Sequence, residues 1–205
     1  MMRFLSRNRA GQKAQTPEWV TVVSGLPRSG TSMLMKVLEA GGMPVLTDRI
    51  RTADEDNPKG YYEFERVKRM PDGDNQWLEG ARGQAVKVIS ALLEFLPAET
   101  RYKVVFMRRN MHEILASQRQ MLIRRGEPTD AVSDEALAAQ FRKHLSKIEA
   151  WLAKQPNVEV LYLEYNAILA DPRPHLERLN AFLDGRLDLE RMLQVVDPSL
   201  YRQKS

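Results

Sequence analysis

Apolar residues along this chain come in short unbroken blocks, separated by stretches in which they recur every three or four positions. Val20 to Val23 is such a block, too short for a helix and closed by Ser24-Gly25, and it predicts a strand buried on both faces. Similar runs predict strands at Ala85 to Ile89, Lys103 to Met107 and Val158 to Leu163. Helical spacing marks Met33 to Ala40, which Gly41-Gly42 should end, and a short apolar piece, Met43 to Leu46, follows. Further on, Ala91 to Leu96 reads as a short helix stopped by Pro97. Asn110 with Glu113 forms a cap pair that starts another helix near Met111. Residues Ser133 to Ala153 set Leu137, Phe141, Leu145, Ile148 and Leu152 on one face, and Pro174 to Leu183 and Leu189 to Val195 complete the helices. Asp171-Pro172 reads as a helix-start turn. Strands separated by helices imply a parallel sheet covered on both sides, with ligands at the strands' carboxyl ends.

One segment breaks the alternation. From Thr47 to Gly73 the chain is charged, holds Pro58, Gly60, Pro71 and Gly73, and shows no sustained period. A long irregular stretch in a compact domain reads as a binding loop or lid, and Tyr61, Tyr62 and Phe64 argue against plain disorder. The first residues, 1–17, carry Arg3, Arg7, Arg9 and Lys13 without an apolar stretch, so they read as a flexible basic arm rather than a signal peptide. Residues 18–205 then form a single domain, with 47–73 as its substrate or lid segment.

Composition narrows the classes. With 205 residues, 43% of them hydrophobic, one α/β core is expected. The charge of +4, from 31 basic and 27 acidic side chains, suits anionic ligands but is too mixed for a dedicated nucleic-acid binder. Absence of cysteine rules out disulfides, thiol nucleophiles and zinc-thiolate sites, and is compatible with a cytoplasmic enzyme. No run approaches the roughly 20 apolar residues of a membrane span. No histidine pair has ligand spacing, so no metal is expected.

The chemistry concentrates at Gly25-Leu26-Pro27-Arg28-Ser29-Gly30-Thr31-Ser32. A strand delivered into a glycine-bounded loop that opens a helix gathers backbone N–H groups around an oxyanion. Gly25 and Gly30 are spaced as in a nucleotide-triphosphatase loop, but the lysine wanted after the second glycine is absent and Arg28 lies inside the loop instead. A second anion grip follows the strand at Lys103 to Met107, where Arg109 stands at the strand end and Ser117 within the next helix.

These two sites, in this order, resemble the sulfotransferase family that uses 3'-phosphoadenosine 5'-phosphosulfate. The resemblance runs from about Trp19 to the end and implies a three-layer α/β/α, P-loop NTPase-like fold with a central parallel sheet. It further implies that Gly25, Pro27, Arg28, Ser29, Gly30, Thr31 and Ser32 bind the 5'-phosphosulfate and that Arg109 and Ser117 hold the 3'-phosphate. Arg28 would neutralise the leaving oxygen and Lys87 would steady the sulfuryl group. The product would be 3',5'-ADP, the acceptor a small molecule, glycan or peptide bearing a hydroxyl or amine.

The chain departs from the family pattern in three places. Glu164-Tyr165-Asn166-Ala167 resembles the family's Tyr-Glu-Asp-Leu stretch, but Asn166 and Ala167 replace the two acids. The tryptophan that often follows the loop is Met33. Lys87 fits the lysine of the strand end that bears the family's basic histidine, yet Ile89 occupies the histidine position. None of His112, His144 and His175 falls on a motif. A carboxylate from the irregular segment is the expected substitute, Glu63 ahead of Asp54 and Asp56, since aromatic neighbours would desolvate it. Two other classes share these features: a nucleotide kinase or NTPase, which lacks its lysine here, and a non-catalytic nucleotide binder.

Overall fold

In the computed structural model the residues described are 16–48, 62–129 and 132–197. Asp54, Asp56 and Tyr61, together with the arm at 1–15 and the C-terminal residues from 198, lie outside them.

Five strands form one sheet: β1 (Trp19–Gly25), β2 (Val45–Leu46), β3 (Ala85–Lys87), β4 (Arg101–Arg108) and β5 (Val158–Glu164), in the order β2-β3-β1-β4-β5. Every pairing is parallel, with Val22 opposite both Val86 and Val104, and Val104 opposite Val160. The chain leaves β1 toward β2 and β3, then crosses to β4 and β5 on the other side. The carboxyl end of β1 is therefore the point where the winding reverses, which is where an open parallel sheet leaves a crevice.

Period-two alternation divides the strands between two cores. Val23, Val105, Leu161 and Leu163 face one side and pack with Leu34, Met35 and Leu38 of α1 (Thr31–Ala40) and with the C-terminal helices. Val20, Val22, Val86, Val104 and Phe106 face the other, against Ile148 and Leu152 of a long helix. The remaining helices are α2 (Met111–Arg125), α3 (Asp134–Leu152), α4 (Tyr165–Ala170), α5 (Pro172–Phe182) and α6 (Leu189–Gln194). Pro172 stands in the first turn of α5, as the helix-start reading of Asp171-Pro172 expects.

The second face differs from expectation. The irregular reading of Thr47 to Gly73 does not hold at its C-terminal end, where Glu65–Asp72 is a 3-10 helix with Val67 and Met70 buried. Phe64, Val67 and Met70 recur every third residue, which is the repeat of this helix and stacks them on one side. Phe64 meets the buried Trp77 edge to face at 5.2 Å. Gln76–Ala81 adds a second such turn. The strand expected through Ile89 ends at Lys87, and the expected helix at Ala91 to Leu96 is a 3-10 turn over Ser90–Phe95. With only three residues in β3 and Pro97 close behind, no room remains for a full helix.

A buried lysine ties the last helices to the sheet. Lys103, on β4, donates to the Phe182 carbonyl at 2.7 Å and to Asp184 at 2.8 Å, and its ammonium lies 4.1 Å from the Trp19 ring centre. Among the described residues no helix is long and apolar enough to cross a membrane.

Candidate active site

The turn after β1 rests on three backbone positions of positive φ: Gly25 at 148°, Gly30 at 97° and, without glycine's freedom, Arg28 at 69°. A Cβ on Gly25 would stand 2.5 Å from Ser29 Oγ and 2.6 Å from the Met107 carbonyl, and one on Gly30 would run into the Tyr165 ring. Glycine is required at both. Between them buried Ser29 donates to the Leu26 carbonyl through its N–H at 3.2 Å and its hydroxyl at 2.7 Å. The loop is thereby closed on itself, with Pro27 exposed at its tip. It opens into α1, which has no side-chain cap at Gly30 and no acid in its first turn. Uncapped N–H groups and the positive end of a helix favour an anion.

Arg28, Lys87 and Arg109 converge on this turn. Lys87 Nζ donates to Ser32 Oγ at 3.4 Å, so the end of β3 meets the start of α1, where Thr31 is the first helical residue. Arg109 and Ser117 are both present but are joined through Arg28. The Arg28 Nε donates to Ser117 Oγ at 2.8 Å, and the Arg28 carbonyl accepts from Arg109 Nη1 at 3.0 Å. Ser117 is buried within α2, the helix that Asn110 caps by accepting from the His112 N–H at 2.9 Å.

Three further residues, Glu113, Asn166 and Tyr165, hold places at this site that the sequence reading did not assign to them. Glu113, whose side chain is 2% exposed, accepts from Arg109 Nε at 2.9 Å and from Asn166 Nδ2 at 2.7 Å. The Tyr165 ring centre lies 4.6 Å from the Arg109 guanidinium. Burial, with Glu113 adding to it, holds the Tyr165 hydroxyl above its ordinary range against the opposing pull of Arg109 and Arg28, so the phenol stays neutral. The sequence reading paired Glu113 with Asn110 as a cap, but only Asn110 caps the helix, and the Glu113 carboxylate turns to Arg109, four residues before it, and to Asn166. Nothing local tied it to residue 166.

Glu63 is anchored through its backbone. Its carbonyl accepts from Thr47 Oγ1 at 3.0 Å and from the Asp48 N–H at 3.2 Å, just past the end of β2, and its carboxylate lies 3.6 Å from Lys68 Nζ. Leu46, the residue before Thr47, pairs with Val86, the residue before Lys87. Ile89 is 43% exposed. His112 is exposed, and His144 Nε2 lies 2.9 Å from the buried Ser90 Oγ. Met33 packs against the core, and among the described residues no group of three or more metal-ligating side chains gathers.

Residues 59–188 match the model of the sulfotransferase family, a stretch longer than half the chain. The chain belongs to the sulfotransferase family. Two solved structures are similar in fold. Mouse sulfotransferase SULT7A1 complexed with PAP is 20% identical over 92% of this chain and 67% of that one, at a TM-score of 0.55. The sulfotransferase domain from the curacin biosynthetic pathway is 16% identical over 89% of this chain and 79% of that one, at 0.53. No curated protein matches the chain. The family match begins at residue 59, beyond the loop at Gly25 to Ser32.

Proposed function

We propose that this sulfotransferase moves a sulfuryl group from 3'-phosphoadenosine 5'-phosphosulfate to a hydroxyl or amine of a small-molecule, glycan or peptide acceptor, in the cytoplasm and without a metal. The observation that carries the reading is the convergence of Arg28, Lys87 and Arg109 on an uncapped helix start whose loop has no room for a Cβ at Gly25. This donor set is cationic and rich in N–H and hydroxyl groups, and it fits a nucleotide with phosphates at two positions.

When bound, the donor supplies the sulfuryl group, whose bond to the bridging phosphate oxygen breaks as the acceptor attacks sulfur. Backbone N–H groups from Gly30 to Ser32 and the Thr31 and Ser32 hydroxyls hold the 5'-phosphosulfate, while Ser29, expected to join them, gives its N–H and hydroxyl to the Leu26 carbonyl and shapes the loop. Arg28 offsets negative charge on the leaving oxygen, and Lys87, beside Ser32, orients the transferring group. Ser117 and the Arg109 N–H groups beyond those given to Glu113 and Arg28 hold the 3'-phosphate. Glu63 takes the acceptor's proton at its carboxylate. Support for Glu63 is its backbone anchor at Thr47, one residue past the pairing of Leu46 with Val86, which precedes Lys87.

Titration calorimetry tests the reading. The protein should bind 3',5'-ADP well and 5'-AMP poorly, and Arg109→Ala should abolish that preference, because a charge-assisted phosphate contact contributes about 1.5–3 kcal/mol. Equal affinity for the two nucleotides in the unaltered protein refutes it.

A further inference from the structure

A buried carboxylate beside an anion site weakens that site unless its charge is spent on orienting a cation. Both oxygens of Glu113 are engaged in that way. Oε2 accepts from Arg109 Nε at 2.9 Å and Oε1 from the Asn166 amide at 2.7 Å. Arg109 then reaches the Arg28 carbonyl at 3.0 Å, at a residue whose φ of 69° needs outside support. The neighbour of Asn166, Tyr165, lies against Arg109 on one side and blocks any side chain at Gly30 on the other. A connected set thus runs from the start of α4, through α2 and the end of β4, to both ends of the loop's left-handed turn.

The chemistry of residue 166 decides how this set carries charge. An acid there, at a half-buried position, would face the buried Glu113 at hydrogen-bond distance, and two carboxyls so close resist ionising together. An amide donates without adding charge. We propose that Asn166 is a positioning residue for donor binding: its amide keeps Glu113 charged and oriented, Glu113 fixes the plane of Arg109, and Arg109 holds the Arg28 carbonyl and with it the phosphate loop. This rests on the reading of the loop as the donor site. Among the described residues, the charged and titratable groups linked to residue 166 through these contacts are Glu113 from α2, Arg109 after β4 and, through Arg109, Arg28 from the loop and the Tyr165 phenol from α4.

Asn166→Asp is the decisive variant. At low pH the new carboxyl is protonated and donates to Glu113 as the amide does, and at high pH the two charges oppose. Calorimetric affinity for 3',5'-ADP is measured for variant and unaltered protein between pH of about 5.5 and 8.5, and their ratio cancels the ligand's own titration. The ratio should lie near one at the acid end and fall about tenfold or more at the alkaline end, the scale of a hydrogen bond to a charged group. A ratio independent of pH overturns the proposal. Asn166→Ala, which removes the donor without adding a charge, should raise the donor KM about tenfold with kcat within about twofold. An unchanged KM also overturns it. If the unaltered protein does not bind 3',5'-ADP, the donor reading fails by itself, and the relay is read from the unliganded proteins. The gap in Tm between Asn166→Asp and the unaltered protein must then widen as pH rises, because the paired carboxyls hold a proton that the unfolded chain releases. A constant gap refutes the relay.

Discussion

Replacing Gly30 by alanine tests the loop's architecture in a way that separates backbone strain from contact. At φ 97° an L-residue pays about 1–2 kcal/mol for a left-handed conformation. The new methyl also meets the Tyr165 ring, which must move away from Arg109, 4.6 Å from its centre, with a loss of about 0.5–2 kcal/mol of cation–ring attraction. Together these give a destabilisation of about 1.5–4 kcal/mol. In a Tyr165→Ala background the ring is gone and only the strain term of about 1–2 kcal/mol remains. Urea unfolding followed by circular dichroism on the four proteins of this cycle reads the difference directly. The coupling should be about 0.5–2 kcal/mol, with Gly30→Ala the milder in the truncated background. An equal cost in both backgrounds would show that Tyr165 does not back the loop, and the reasoning would fail.

Arg28→Lys keeps the charge but loses the fork that reaches Ser117, so turnover should fall well beyond the loss in 3',5'-ADP affinity. Steady-state kinetics beside calorimetry checks this, and equal losses would mark Arg28 as a ground-state ligand. Glu63→Gln should bind 3',5'-ADP normally yet lose roughly two to four orders of magnitude in transfer rate; a loss under about tenfold would pass the role to another acid. Burial, and then Lys147, hold His144 below its ordinary value of 6.5, with Glu94 opposing. The unfolded chain therefore takes up the proton first as pH falls, and stability is present above about 6.5 and declines as pH drops toward the folded value. His144→Gln should flatten that decline in Tm between pH of about 7.5 and 5.5; an unaltered slope would exonerate His144.

How much the sequence discloses depends on the range of the interaction that fixes each part. The β1-loop-α1 unit is legible because its determinants are contiguous: an apolar run, two glycines at loop spacing and a helical period. Helix α2 is legible from Asn110, whose cap is made two residues away. Glu65–Asp72 is not, since a repeat of three over Phe64, Val67 and Met70 is short and looks like noise beside longer periods. The candidate site shows the same division. Arg28, Lys87, Arg109 and Ser117 stand on motifs, whereas the link from Glu113 to Asn166 spans 53 positions and joins two helices. The pairing of Arg28, rather than Arg109, with Ser117 was equally hidden, because the left-handed backbone at Arg28 decides where its side chain points.

The support of the loop by residues far downstream has a consequence for synthesis. The segment Gly25 to Ser32 is synthesised well before its supports: β4, which pairs with every residue of β1, ends only at Arg108, and the ring that backs Gly30 is supplied by Tyr165. Until α4 has emerged, the nascent chain holds the residues of an anion cradle without its shape. A growing polypeptide of this kind cannot complete the cradle until the last strand of the sheet and the helix after it have docked together.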